Sequence, residues 1–352
     1  MRAIAIFTVV LGHGGFILEQ ANTGFPWIKL IDGVELFFVL SGFLIGGIIL
    51  KEFQNNATFG MKNVVHFWKR RWFRTLPNYY LILIINIVIV YFGIIQEYFS
   101  QFNWKFFLFL QNFAQPFYGF FWESWSLSIE EWFYILFPII LTLLYLLFIK
   151  FKISKKTIFL ATVFVFLLTP FLLRFFIASN FELDNFWLDV RINKVVIYRL
   201  DGIAFGLLGA FIKYYYPKIW FKSRNITFVT GLVVCYVLIL YHTWLPNNFS
   251  TKVYKISILS LGCFLLLPKF DSIKTAPRLL TRVVTHISLI SYSMYLINLA
   301  LVAEVIRDHF PPHGTKTALF MYGVYWVVVI TVSTLLYKHY EKPMMDLRDR
   351  KR

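Results

Sequence analysis

Apolar runs recur along the whole chain, each broken by a short polar or basic stretch. They predict ten membrane spans, at 2–18, 33–50, 77–95, 132–149, 157–178, 198–214, 226–243, 255–268, 286–305 and 318–337. A further apolar stretch, NWKFFLFLQNF at 103–113, is too short to cross and reads as an interfacial or re-entrant segment. Before the third span, VVHFWKRRWFRTLP sets Val65, Trp68 and Trp72 on one helical stripe and Lys69, Arg70, Arg71 and Arg74 on the other faces. That pattern fits a helix lying on anionic lipid, and equally a phosphate site built from arginines. The fold class expected is an all-α polytopic membrane protein.

Composition agrees. Hydrophobic residues make up 59% and charged residues 15%, against about 25% charge in a soluble domain. A net charge of +17 could point to nucleic acid. Its placement argues otherwise. With a cytoplasmic N-terminus, the inside connections and the tail hold 24 Lys and Arg and the outside connections hold 8, leaving aside Arg2, Arg174 and Arg199. Ten spans with both termini inside satisfy that asymmetry. The basic face then lies against anionic lipid, and no nucleic-acid partner is called for. Cys235 and Cys263 lie in apolar runs without a paired-cysteine motif, and the histidine loops LYHTW and PPHGTK lack ligand spacing, so neither a disulfide nor a metal site is expected.

Ionisable residues inside spans are costly and point to function by default. Arg2 and His13 share the first span, eleven residues apart. Helical phase puts them on one face, roughly 16 Å apart along the axis. The span opening GVELFFVLSGFLIGG carries Glu35 and a small-residue stripe of Ser41, Gly42, Gly46 and Gly47 suited to close helix packing. In WESWSLSIEEWFY, Ser128 and Glu131 fit a helix-capping box, whereas Glu130 has no such role, and Trp122, Trp125 and Trp132 fit an aromatic belt or flank a sugar cleft. YRLDGIAFGLLGA places Arg199 and Asp201 at a spacing too close for a mutual pair, so they should reach different partners. ISYSMYLIN adds Ser291, Tyr292, Ser293 and Asn298, and YEKP adds Glu341. A polar route across the membrane is the economical reading. Residue types alone leave open whether it carries an ion, a solute or an acyl group.

RAIAIFTVVLGH, GVELFFVLSGFLIG, FWKRRWFRTLP, WSLSIEEWFYILFP, YRLDGIAFGLLGA, SYSMYLIN and YEKP occur in one order over nearly the whole chain. In that order they resemble the acyltransferase-3 family of integral membrane acyltransferases, which includes O-antigen and exopolysaccharide O-acetylases. The resemblance implies one membrane domain over 1–352 in the cell (inner) membrane, a cytoplasmic acyl-CoA donor, acetyl-CoA by default, and a carbohydrate acceptor at the outer face. It implies Arg2, Arg71 and Arg74 as donor-binding residues and His13 as general base. Glu35 and Glu130 become its carboxylate partners, orienting His13 or holding the sugar. Arg199, Asp201 and Trp125 become acceptor-side residues. Two departures stand out. Asn298 falls where the family often has His, and the residues that usually precede the first Arg are missing, so a start upstream of Met1 is expected. Two alternatives remain at this stage: a permease, against which the lack of an internal repeat weighs, and an acyltransferase acting on a peptidoglycan sugar, an antibiotic or a small metabolite.

Overall fold

The computed structural model describes residues 1–19, 32–56, 58–181, 184–244 and 249–350. Lys29, Lys351 and Arg352, counted above among the loop and tail charges, lie outside them. Every regular element among the described residues is a helix. The principal ones are α1 (Arg2–His13), α2 (Gly33–Asn55), α3 (Met61–Tyr91), α4 (Ser124–Phe148) and α5 (Lys155–Asn180). They are followed by α6 (Leu200–Tyr215), α7 (Arg224–Trp244), α8 (Lys255–Ser272), α9 (Arg278–Ile297) and α10 (Thr315–Leu336).

Each predicted span falls on one of these helices. Among the described residues, seven helical stretches are long and apolar enough to cross a membrane: Arg2–Glu19, Gly33–Asn55, Met61–Tyr91, Ser124–Phe151, Lys155–Asn180, Arg278–His309 and Thr315–Leu347. Of the other three, α6 has only 16 residues, and α7 is apolar over Arg224–Leu240. α8 carries Lys255, Lys269 and Asp271 within its 18 residues.

Two predicted boundaries move. The basic stretch before the third span is no separate surface helix but the first turns of α3, which runs on through Pro77. Proline is tolerated inside membrane helices; the Tyr340 hydroxyl donates to the Pro77 carbonyl at 3.3 Å. The capping box expected at Ser128 is also absent. α4 starts a full turn earlier, and Ser128 inside it donates to the Ser124 carbonyl and accepts from Gln111.

The small-residue stripe acts as expected in part. α2 and α6 touch backbone to backbone where Gly42 meets Gly206. A Cβ on Gly42 would lie 1.9 Å from the Ile203 carbonyl oxygen, and one on Gly206 would lie 2.1 Å from that of Val39. Gly46 faces Leu207 and Ala210, whereas Gly47 faces open space. That contact makes α2 the hinge between cores. One core joins α1, α3, α9 and α10; a second joins α2, α4, α5 and α6; a third joins α2, α7 and α8.

The 103–113 segment forms no crossing helix. Its carbonyls at Phe106 and Phe109 accept from Tyr79 (2.8 Å) and the Trp132 indole (2.8 Å). Tyr79 lies twelve residues before the end of α3, about 18 Å along the helix. The segment packs against α3 and α4, with these carbonyls bonded by side chains of both helices.

Candidate active site at an arginine cleft and a part-buried histidine

Arg71, Arg74, Thr75 and Asn78 follow three- and four-residue spacing, so they project from one face of α3. That face meets the start of α1, α2, α4 and α9 around a half-open cleft. Arg2, Arg71 and Arg74 converge on it, together with Ser41, Glu130 and Tyr295. Among the described residues none of the three arginines forms an ion pair with a carboxylate. Three guanidiniums and one carboxylate, Glu130, line the cleft, an excess of positive charge that suits an anion, and the planar fork of Arg suits phosphate.

Glu130 offsets part of that charge and shapes the site. Its Oε1 accepts from Ser41 at 2.9 Å and its Oε2 from the Tyr134 hydroxyl at 3.0 Å. Arg71 in turn donates to Tyr134 at 3.2 Å and stacks over its ring at 4.7 Å. The carboxylate thus holds Tyr134, and Tyr134 holds Arg71. The Nε of Arg71 is buried with no hydrogen-bond partner, a donor left for a ligand or water. Further along α3, Asn78 and Ser293 of α9 both donate to Glu341 Oε2, at 2.9 and 2.7 Å. Tyr292 donates to the Thr75 carbonyl at 2.8 Å. These bonds tie α9 and the turn after α10 to the arginine face.

His13 lies at the other end of α1. Gly14 after it is required by space: a Cβ there would meet the Tyr325 ring at 2.4 Å. The orienting carboxylate expected for His13 is not Glu35 or Glu130. Its partner is an amide, with His13 Nδ1 and Asn298 Oδ1 2.7 Å apart. His13 does not line the cleft, which ends at Val34, Ser126 and Tyr295. Tyr295 sits three residues before Asn298 on α9 and shares a 2.6 Å hydrogen bond with Ser126. Tyr295 thus stands in the cleft lining and within one helical turn of the residue that meets His13.

The remaining sequence candidates lie away from the cleft. Glu35 is fully buried; its Oε2 binds Arg199 at 2.7 Å and its Oε1 accepts from Ser260. Asp201 is equally buried and pairs with Arg174 at 2.6 Å, with Ser257 donating to it at 2.7 Å. Arg199 and Asp201 reach different partners, as their spacing requires. Trp125 packs edge-on against Phe38 and under Arg199. Glu131, freed from the capping role, accepts from Thr75 at 2.7 Å. Sequence reasoning passed over Tyr134, Thr75, Asn78 and Tyr295. Tyr134 had a signal, since it follows Glu130 by one helical turn. Thr75 and Asn78 extend the Arg71–Arg74 stripe. Tyr295 looked like ordinary core.

The profile of a family described as an acyltransferase domain, acyltransferase-3, matches residues 1–338. Three curated relatives align with part of the chain. A Staphylococcus aureus protein provisionally named an O-acetyltransferase is 33% identical over 165 residues, 42% of this chain and 24% of that protein. The peptidoglycan O-acetyltransferase OatA of Listeria monocytogenes is 31% identical over 153 residues, 39% of this chain and 22% of its own length. A Bacillus subtilis protein, YrhL, provisionally named a peptidoglycan O-acetyltransferase, is 34% identical over 156 residues, 40% of this chain and 23% of that one. The chain thus spans about a quarter of the length of the relatives it matches. No solved structure matches it. With the motifs in order, the helical bundle and a profile match over nearly its full length, the chain belongs to the acyltransferase-3 family.

Proposed function

We propose that this chain transfers an acyl group, acetyl by default, from cytoplasmic acyl-CoA to a hydroxyl of a carbohydrate on the outer face of the cell membrane. The observation that carries the reading is the convergence of Arg2, Arg71 and Arg74, without a carboxylate partner, on one cleft. The donor's phosphates are the anions this cleft fits. Relatives named as peptidoglycan O-acetyltransferases support a sugar hydroxyl as acceptor. The loop charges support ten spans with both termini in the cytoplasm, which puts Arg2 at the donor side and His13 towards the acceptor.

In this mechanism Arg71 and Arg74 bind the phosphates and Glu130, through Tyr134, keeps Arg71 in place. His13 takes the proton of the acceptor hydroxyl as its oxygen attacks the thioester carbonyl. The new C–O bond forms, the C–S bond breaks, and the departing thiolate receives the proton from the imidazolium. Membranes holding the protein, given labelled acetyl-CoA and a peptidoglycan or exopolysaccharide acceptor, should release CoA and label the sugar. His13→Ala should abolish both; normal transfer by that variant would overturn the mechanism.

A further inference from the structure

We propose that Asn298 fixes the tautomer of His13, making Nε2 the atom that takes the acceptor's proton. The inference rests on the acyl-transfer reading for its purpose, and on geometry alone for its substance.

Asn298 is fully buried and opens the wide π-type turn Asn298–Glu304 that continues α9. Such turns displace side chains from the regular helical phase and recur at functional sites. Its amide nitrogen donates to the carbonyls of Met294 and Tyr295, both at 2.8 Å. Both N–H hydrogens are thereby committed. Rotating the amide by half a turn would set its oxygen against two carbonyl oxygens, so the observed orientation is the only satisfied one. Oδ1 consequently faces His13 Nδ1 at 2.7 Å. An amide oxygen only accepts, so Nδ1 must carry the hydrogen, and the neutral ring keeps its lone pair on Nε2. The Tyr325 hydroxyl sits nearer the Val10 carbonyl, at 2.9 Å, than Asn298 Oδ1, at 3.4 Å, so it leaves that oxygen largely to His13. The amide does for this histidine what a carboxylate does in a Ser-His-Asp arrangement: it selects the tautomer and the ring angle. It does so without adding a negative charge to a buried site, where an unpaired carboxylate would be costly.

Asn298 is thus a positioning residue. The test uses the full chain in lipid nanodiscs with isotope-labelled histidine, His13 being assigned by loss of its signal in His13→Gln. Nitrogen chemical shifts separate Nδ1–H from Nε2–H. The wild-type ring should read as Nδ1–H. Asn298→Leu should shift it towards Nε2–H and lower kcat about a hundredfold, with KM for acetyl-CoA unchanged. Asn298→Asp, which keeps an acceptor at the same place, should restore Nδ1–H and part of kcat. A wild-type Nε2–H ring would overturn the proposal, and that spectrum decides even if Asn298→Leu does not fold. An unchanged tautomer in folded Asn298→Leu would overturn it as well, as would unchanged turnover despite a shifted tautomer. Failure of the acyl-transfer reading shows separately, as no CoA release by the wild-type protein.

Discussion

Two sets of arginines lie inside this bundle, and the fold treats them in opposite ways. Arg174 and Arg199 are each met by a fully buried carboxylate, Asp201 at 2.6 Å and Glu35 at 2.7 Å. Arg174 is further satisfied by Ser257 and by the carbonyls of Tyr198 and Val253. Arg2, Arg71 and Arg74 have no such partners and face a cleft instead. A buried charge is tolerated when it is paired and hydrogen-bonded. The first set meets the pairing condition, although Arg199 Nε is buried without a hydrogen-bond partner, and holds α2, α5, α6 and α8 together. The second meets it only when an anion arrives. A charged residue within a membrane span is therefore not in itself the mark of a site; the mark is a charge whose counter-charge the fold withholds.

Removing one member of a buried pair is the harshest way to break this contrast. Arg174→Leu leaves Asp201 uncompensated and should cost about 3–5 kcal/mol, a large part of an ordinary stability of about 5–15 kcal/mol. A steep loss of folded protein in a detergent melting series would show it. Arg74→Ala should do the reverse: no loss of melting temperature, with KM for acetyl-CoA raised about tenfold to hundredfold, as expected for one charge-assisted phosphate contact. If Arg74→Ala unfolds the protein while turnover per folded molecule stays normal, the contrast fails. Replacing both members of the other pair, Glu35→Leu with Arg199→Met, should be milder still, near neutral in stability because both charges leave together. Turnover measured on that folded double variant decides whether Glu35 is structural. A large drop in kcat would give it a catalytic role that its pairing with Arg199 does not account for.

The parts legible in sequence were those carried by local pattern. Apolar runs located every principal helix, and the spacing of Arg71 and Arg74 placed both on one face. The misreadings share one physical origin: a polar side chain in a span is equally consistent with a partner from any other helix. Nothing near Glu35 in sequence announces Arg199 or Ser260, which lie 164 and 225 residues away. Nothing near His13 announces Asn298, 285 residues on. The capping box at Ser128 failed for a related reason. The pattern was present, but Gln111 from the 103–113 segment claimed the hydroxyl and α4 began earlier.

The smallest effect extends the contrast to a carboxylate outside the spans. Glu97 lies in the connection between α3 and α4; its Oε2 accepts from the Phe121 amide at 2.8 Å, while its Oε1 is buried without a partner. Burial, reinforced by the nearby charge of Glu304, pushes its carboxyl up from the ordinary 4.5 to about 8. Between those values the folded protein holds a proton that the unfolded chain has released. Stability must then fall as pH rises through that window, and the loss is complete above about 8. The melting temperature should decline from pH 5 to pH 8, and Glu97→Gln, which cannot ionise, should flatten that decline. A decline of equal slope in the variant would mean that Glu97, like Glu35, has found a counter-charge in solution, and that a withheld partner marks only the arginines.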